Sequence, residues 1–405
     1  MDLLLTEQQS LFAETAIRLC RDHGGPKRLR ALSAAGAEMD GEAWREATKA
    51  EWLSTVVAER HGGQGLGAFD LALALEQAGR QLLLVPLVEA AAVAWTMSRA
   101  ADISRVSGAL ADLLRGSRLI VPATEAASWR YGSRASGIHY DHRAGVLDGS
   151  IPFVAFGSSA DAFLVAIDGG AQPVLAVVPC GDVSVAAESN VDGSTSSMLT
   201  FAMVLVPAEN VIATGAEARR LVLQMQEFLM LGVAIELVGL ATEALNVTLD
   251  YIKLRQQFGK PIGSFQVLQH RAVNGFIDIE LNRSLAYRVI SAYDAGEHGP
   301  AMVSAVKART SRCALEIIRG ALQMHGAIGY TDEHDIGLYY KRAIALAARY
   351  GNELHHTGRF SDLTLGEPRA WTTPACTSRS TSRTGPCGTR AGSPRDGGRS
   401  STPCG

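Results

Sequence analysis

The spacing of apolar residues changes period twice along this chain, and that limits the folds open to it. Residues 1 to about 118 read as helical. Thr6-Glu7-Gln8-Gln9 supplies an N-cap and first turn ahead of Leu11, Phe12, Ala16 and Leu19, which recur at helical spacing. Phe69 to Gln81 reads as a further helix, with Pro86 and Pro122 as punctuation. From about Leu119 to Val211 the texture becomes short runs rich in Val, Ile and Phe, bounded by Gly, Ser and Asp: Leu119–Ala123, Gly145–Leu147, Ala162–Ile167, Pro173–Val178 and Met198–Val206. Glu217 to about Gly358 is helical again, in four or five long segments. The expected architecture is mainly α with a central β domain: a helical domain over residues 1–118, a β domain over 119–213, a helical bundle over 214–362 and a tail over 366–405.

The 405 residues exceed what one core usually supports, so two or three domains are expected. Hydrophobic content of 47% with 20% charged residues describes an ordinary globular chain. The tail is different in kind. Pro, Gly, Ser, Thr and Arg dominate it, and apolar periodicity is lost after Leu365, so it is predicted disordered. Its net charge is +4, leaving −7 for the body against an overall −3, which gives no nucleic-acid footprint. The first residues carry no basic segment and too short an apolar run for a signal peptide, and no charge-free apolar run of membrane-spanning length appears. Cys20, Cys180 and Cys313 lie far apart, and Cys376, Cys387 and Cys404 fall in the tail. That pattern is neither a disulfide scaffold nor a metal site, and a cytoplasmic location is expected.

Two stretches carry chemistry. Arg255-Gln256-Gln257-Phe258-Gly259-Lys260-Pro261 closes a long helix and leads through a Gly/Pro turn into another. Arg255 and Phe258 are three apart, so on a helix they would share a face, a guanidinium beside an aromatic ring. That pair suits a ligand with a pyrophosphate and a flat base. Gln323-Met324-His325-Gly326-Ala327-Ile328-Gly329-Tyr330-Thr331 follows one helical hairpin later. The glycine-rich run His61 to Gly67 has no Gly-Lys-Ser/Thr after it, so a tight connection between helices is expected there, not a phosphate loop. His270 and His325 read as polar interface or loop residues. The adjacent His355 and His356 point apart on a helix, which favours a surface or interface role over metal binding.

Together these stretches resemble the acyl-CoA dehydrogenase family of flavoproteins. The resemblance runs from about residue 5 to 360 and includes Ala58-Glu59-Arg60-His61-Gly62-Gly63, Gly79-Arg80, Pro86-Leu87, Asp148-Gly149 and Tyr251-x-x-x-Arg255. It implies an N-terminal helical domain, a central β-sandwich or barrel and a C-terminal four-helix bundle. It also implies FAD at a subunit interface and oxidation of an acyl-CoA thioester to 2-enoyl-CoA. On that resemblance Arg255, Phe258, Gln323, Gly326, Ala327 and Asn352 are the cofactor-binding residues, several of them reaching a neighbouring subunit's FAD. No metal is implied.

The resemblance fails where the proton must be removed. Family members place a glutamate base at one of two positions. The first opens a Glu-Gly-Thr triplet that here reads Tyr350-Gly351-Asn352. The second lies 26 residues before the motif arginine and here is Leu229, followed by Met230. Tyrosine titrates near ~10 and is a poor substitute for a carboxylate. Glu227 and Glu236 are the nearest alternatives along the chain, with solvated or N-terminal helix carboxylates as the plainer reading of both. The family strand Trp-Ile-Thr-Asn, whose threonine bonds to flavin N5, reads Phe153-Val154-Ala155-Phe156, and Ala155 has no hydroxyl. The preceding flavin loop is replaced by Thr124-Glu125-Ala126-Ala127-Ser128-Trp129.

A chain that keeps what it would lend a neighbour and lacks what it would use itself resembles one subunit of the α2β2 acyl-CoA dehydrogenases that act on steroid side-chain CoA esters. Thr331-Asp332-Glu333-His334-Asp335 and the His355-His356 pair are similar to that branch. The expected partners are an acyl-CoA and a second acyl-CoA dehydrogenase-like subunit, with no nucleic acid and no membrane. The alternatives are a self-sufficient homo-oligomer with a displaced carboxylate and a related flavin-dependent monooxygenase.

Overall fold

The computed structural model describes residues 5–124, 137–167 and 172–366. Six helices come first: α1 Glu7–His23, α2 Pro26–Ala34, α3 Gly41–Lys49, α4 Ala68–Arg80, α5 Leu87–Met97 and α6 Ser107–Leu114. The Thr6 cap forms as expected. Its hydroxyl accepts from the Gln9 amide at 3.2 Å, and the Thr6 amide donates back to the Gln9 side chain at 3.1 Å. The glycine-rich run leads into α4. The amides of Gly63, Gln64, Gly65 and Gly67 donate to the carbonyls of Ala58, Ser54, Val57 and Thr55. Those amides are therefore spent on the turn itself and are not available to a phosphate.

The β region holds two four-stranded sheets. One has the order β1-β4-β5-β8, with β1 Ile120–Thr124, β4 Ala162–Ile167, β5 Val174–Pro179 and β8 Val211–Thr214. Here β1 runs parallel to β4 (Ile120 opposite Ala162) and the other pairs are antiparallel. The second is antiparallel with the order β2-β3-β7-β6, from β2 Ile138–Asp141, β3 Val146–Ala155, β7 Thr195–Leu205 and β6 Ser184–Ser189. The run expected at Gly145–Leu147 is only the start of β3. The strand continues through a bulge between Ile151 and Val154, where Pro152 sits and Phe153 takes a left-handed φ of 61°. A proline is tolerated there because the bulge removes its need for a ladder amide. Strands β2, β6 and β8 are additions to the sequence reading. β6 is a largely exposed edge with little apolar signal.

Five helices follow: α7 Gly215–Leu254, α8 Gln266–Asp294, α9 Pro300–His325, α10 Ile336–Ala348 and α11 Glu353–Leu365. α7 is the central element, with Glu227 to Ala241 continuously buried. By length and composition alone it could cross a membrane, yet 89% of its most apolar window is buried inside the protein, so it is a core helix. α4 crosses it at very short range. A Cβ on Gly239 would meet the Glu76 carbonyl oxygen at 2.0 Å, and one on Gly79 would meet that of Glu236 at 2.2 Å. Glycine at both points is what lets the two backbones touch. One hydrophobic core runs without a break from α1 through both sheets to α10.

One local expectation is corrected. α7 stops at Leu254, and Arg255 is its extended C-cap with ψ 123°. The chain then makes a tight hairpin, β9 Gln256–Gln257 paired with β10 Lys260–Pro261, with Phe258 and Gly259 at the turn at φ 54° and 77°. Positive φ at both turn residues matches the twist of a two-residue hairpin. Arg255 and Phe258 thus do not share a helix face. The expectations for residues 125–129 and for the tail beyond Gly366 lie outside the described residues.

Candidate functional site

Five of the six expected cofactor residues, Phe258 excepted, line two separate cavities. The smaller, about 450 Å³, is lined by Arg255, Gln323, Gly326 and Ala327, together with Tyr251 and His325. The end of α7 brings Arg255, and the end of α9 with the 3-10 turn Gly326–Tyr330 brings the rest. Among the described residues no carboxylate pairs with the exposed Arg255 guanidinium. Gly326 has φ 68°, and a Cβ there would meet nothing within 4 Å, so it faces open space. His325 is buried. Its Nδ1 donates to the Ala321 carbonyl at 2.8 Å, and its ring stacks on Tyr251 with centroids 4.4 Å apart. That bond fixes the tautomer and leaves Nε2 as a buried acceptor without a partner. Burial lowers the His325 pKa, so the ring is neutral near pH 7. A free guanidinium, an amide side chain, an orphaned acceptor and an open glycine suit a phosphate with a hydroxylated or amino-bearing base beside it. Phe258 lies outside this lining. It is 91% exposed at the hairpin tip, edge-on to Phe265 at 6.1 Å.

The larger cavity, about 790 Å³, opens between the β region and the bundle. Thr124 of β1, the β3 bulge with Phe153 and Ala155, Ser196 of β7, the turn Arg349–Asn352 and His355 of α11 line it. Asn352 belongs here, separate from the other five predicted cofactor residues; its side chain caps α11 by accepting from the His355 amide at 2.9 Å. Phe153 is largely exposed beside it, and Ala155 presents only a methyl. Among the described residues no Asp or Glu lines this cavity.

Tyr350 stands in the cavity wall with a left-handed φ of 56°. Its phenol donates to Glu89 Oε1 at 2.9 Å, and the same oxygen receives Arg349 Nη1 at 3.2 Å. Burial first, then the Glu89 charge, pushes the phenol well above its ordinary range, so Tyr350 stays a neutral donor. Behind this trio Arg342 bonds to Asp192 at 2.9 Å and lies 3.7 Å from Glu236. Burial raises Glu236 to about 7. The network ties α5, α7 and the β6–β7 turn to α10 and the residue that follows it.

Leu229, the other expected base position, is fully buried in the core. The reading of Glu227 and Glu236 as solvated carboxylates is corrected. Both are buried, Glu227 bonding to His298 at 3.0 Å, and neither lines the large cavity. His356 also departs from its surface reading. It has no exposed area, and its Nε2 donates to the Tyr350 carbonyl at 2.9 Å. No metal-holding group of His, Cys, Asp and Glu exists among the described residues. Sequence reasoning missed Glu89, Arg349 and Lys307. The available signal was a lone charge inside an apolar helical run, which is kept buried only with partners.

A helical layer, a β region and a long-helix bundle, with a cleft between the last two, define an acyl-CoA dehydrogenase fold. The family models "Acyl-CoA dehydrogenase, N-terminal domain" and "Acyl-CoA dehydrogenase, C-terminal domain" match residues 6–114 and 223–354, more than half of the chain together. The acyl-CoA dehydrogenase IpdE2 of Mycolicibacterium smegmatis is 27% identical over 352 residues, 86% of this chain and 96% of the relative. The Tcur3481-Tcur3483 steroid ACAD structure superposes with a TM-score of 0.79 at 26% identity, covering 88% of this chain and 97% of that one. The ChsE4-ChsE5 complex from Mycobacterium tuberculosis shares the fold, with a TM-score of 0.81 at 23% identity over 91% of this chain and 100% of that one. This chain belongs to the acyl-CoA dehydrogenase family, whose members are FAD-dependent oxidoreductases.

Proposed function

We propose that this chain is the base-lacking subunit of a hetero-oligomeric, FAD-dependent acyl-CoA dehydrogenase that converts an acyl-CoA to a 2-enoyl-CoA. The observation that carries the reading is the lining of the 790 Å³ cavity: among the described residues that line it there is no Asp or Glu, and Tyr350, at the family's base position, is tied to Glu89 as a donor. When bound, FAD supplies the acceptor for the two electrons removed from the thioester's Cα–Cβ bond. Arg255, Gln323, Gly326 and Ala327 would hold the charged, adenosine-bearing half of a cofactor whose flavin end belongs to the partner subunit. Phe258, exposed at its hairpin tip, would pack against that partner. The partner would supply the carboxylate that takes the α-proton.

Similarity to an assembly named a steroid ACAD supports a bulky, polycyclic acyl group, and similarity to the ChsE4-ChsE5 complex supports pairing with a second, related chain. A cytoplasmic site of action fits that chemistry. The self-sufficient alternative draws no support from Glu227 or Glu236, because neither reaches the large cavity. The test is to purify the chain alone and after co-expression with a related chain that keeps the glutamate, then follow dye reduction by an acyl-CoA. Activity only in the complex is expected. Activity of the chain alone would overturn the proposal, and a requirement for reduced flavin and oxygen would point to a monooxygenase.

A further inference from the structure

The turn Arg349–Asn352, one wall of the large cavity, is held from behind by a lysine with no exposed surface. Lys307 lies on α9 and is 0% exposed. Its Nζ lies within hydrogen-bond distance of the carbonyls of Leu346 at 3.3 Å, Ala347 at 3.1 Å and Gly351 at 3.1 Å and of the Ser311 hydroxyl at 3.1 Å, four acceptors that share its three ammonium hydrogens. Leu346 and Ala347 end α10, where carbonyls lack amide partners and a cation is favoured. A second anchor comes from α11, where His356 donates to the Tyr350 carbonyl at 2.9 Å. The turn has no slack. Gly351 sits at φ 98°, and a Cβ on it would fall 2.7 Å from both His355 and His356.

No carboxylate of a described residue pairs with Lys307. The charged or titratable groups facing it are Arg349 after α10 and His355 and His356 on α11, which Arg359 in turn approaches; on α9 the Ser311 hydroxyl faces it. Burying an amine without a counter-ion is costly, and here only carbonyl dipoles oppose that cost. An apolar residue would fill the space but leave three carbonyls without a donor.

We propose that Lys307 is a positioning residue of the large cavity: its Nζ gathers the end of α10 and Gly351 onto one donor and so holds the Arg349–Asn352 turn, with Tyr350 and Gly351 at positive φ, in the shape that makes the wall. The positioning is independent of any ligand; only its bearing on acyl-CoA turnover rests on the function proposed above.

Amide hydrogen exchange of the full chain, read by mass spectrometry on peptides spanning residues 345–356, tests it. Burial lowers Lys307 to about 7, and an opened, solvated turn returns it to its ordinary 10.5. Between those values opening takes up a proton, so opening becomes harder as pH rises, by up to about tenfold per pH unit. Corrected for intrinsic exchange, protection of this turn should rise between pH 7 and 9 in the native protein, as the ~10.5 reference for lysine requires. Lys307→Met should abolish that slope and speed exchange of the turn about tenfold or more at pH 6, with the centre of α7 unchanged. A native turn without the slope, or a slope shared equally by α7, overturns the proposal, and so does a variant whose turn exchanges like the native one. The native series decides alone if Lys307→Met does not fold. If the turn behaves as expected but acyl-CoA binding by the assembled complex is unchanged in the variant, the positioning stands and the reading of the cavity as an acyl site fails.

Discussion

Tyr350 gives its phenolic hydrogen to Glu89 across 2.9 Å, and that bond makes the side chain at the expected base position a structural strut. Glu89 serves Arg349 with the same oxygen, so a buried carboxylate links two part-buried side chains. Removing one member should be felt by the others. Tyr350→Phe should lower unfolding free energy by about 1–3 kcal/mol, the cost of a buried carboxylate losing a donor. Glu89→Ala should cost about 3–5 kcal/mol, because Arg349 loses its bonded counter-charge. Urea denaturation of both variants checks this, and equal, negligible effects would contradict it.

Placing a carboxylate at position 350 should not give the isolated chain activity. In Tyr350→Glu the new group would stand beside Glu89, and two carboxylates in contact share a proton instead of both ionising. The variant alone should show no dye reduction with acyl-CoA above the native chain. A gain of activity would show that Glu89 can be accommodated and that only residue identity was missing.

The exposed Arg255 should matter for cofactor and not for folding. Arg255→Ala should leave the thermal midpoint unchanged while the co-expressed complex loses flavin about tenfold faster, near ~1.4 kcal/mol. Arg255→Lys should recover little, since a point charge does not reproduce a planar fork. Flavin release followed by fluorescence gives the answer. Unaltered release in both variants would remove Arg255 from the cofactor site.

Glu236 gives the fold a pH dependence of defined sign. Its folded pKa is raised to about 7 from 4.5, so the native state holds this proton more tightly than the unfolded chain. The stabilisation is fully present below the unfolded value and is lost as pH climbs through the folded one. Glu236's own contribution should fall between about pH 5 and 7, read as the difference in unfolding free energy between the native protein and Glu236→Gln, because His356 and Lys307, whose folded pKa values are lowered, act with the opposite sign in both chains. A variant as pH-dependent as the native protein would exclude Glu236 as the cause.

The order of helices, strands and helices was legible because burial period is a local property of sequence. Ala162–Ile167 reads as a strand and is one, with every residue buried. Strand β6 was not legible because an exposed edge carries no apolar alternation. The Arg255–Phe258 geometry was misread for a different reason. Spacing of three implies a shared face only while a helix continues, and the helix ends one residue before Arg255. The reading of Tyr350 and Leu229 at the two base positions rests on the family resemblance alone. The network around Tyr350 was not legible, since Glu89 and Arg349 lie 260 positions apart in the chain and meet only through the packing of α5 against the bundle.

Flavin content tests the central claim most directly. The chain alone and its co-purified complex with a glutamate-bearing relative should be denatured and their released FAD quantified by absorbance against protein. Little FAD is expected in the chain alone and about one FAD for every two chains in the complex, as a shared site between unlike subunits requires. One FAD per chain in the isolated protein, together with acyl-CoA oxidation, would contradict it.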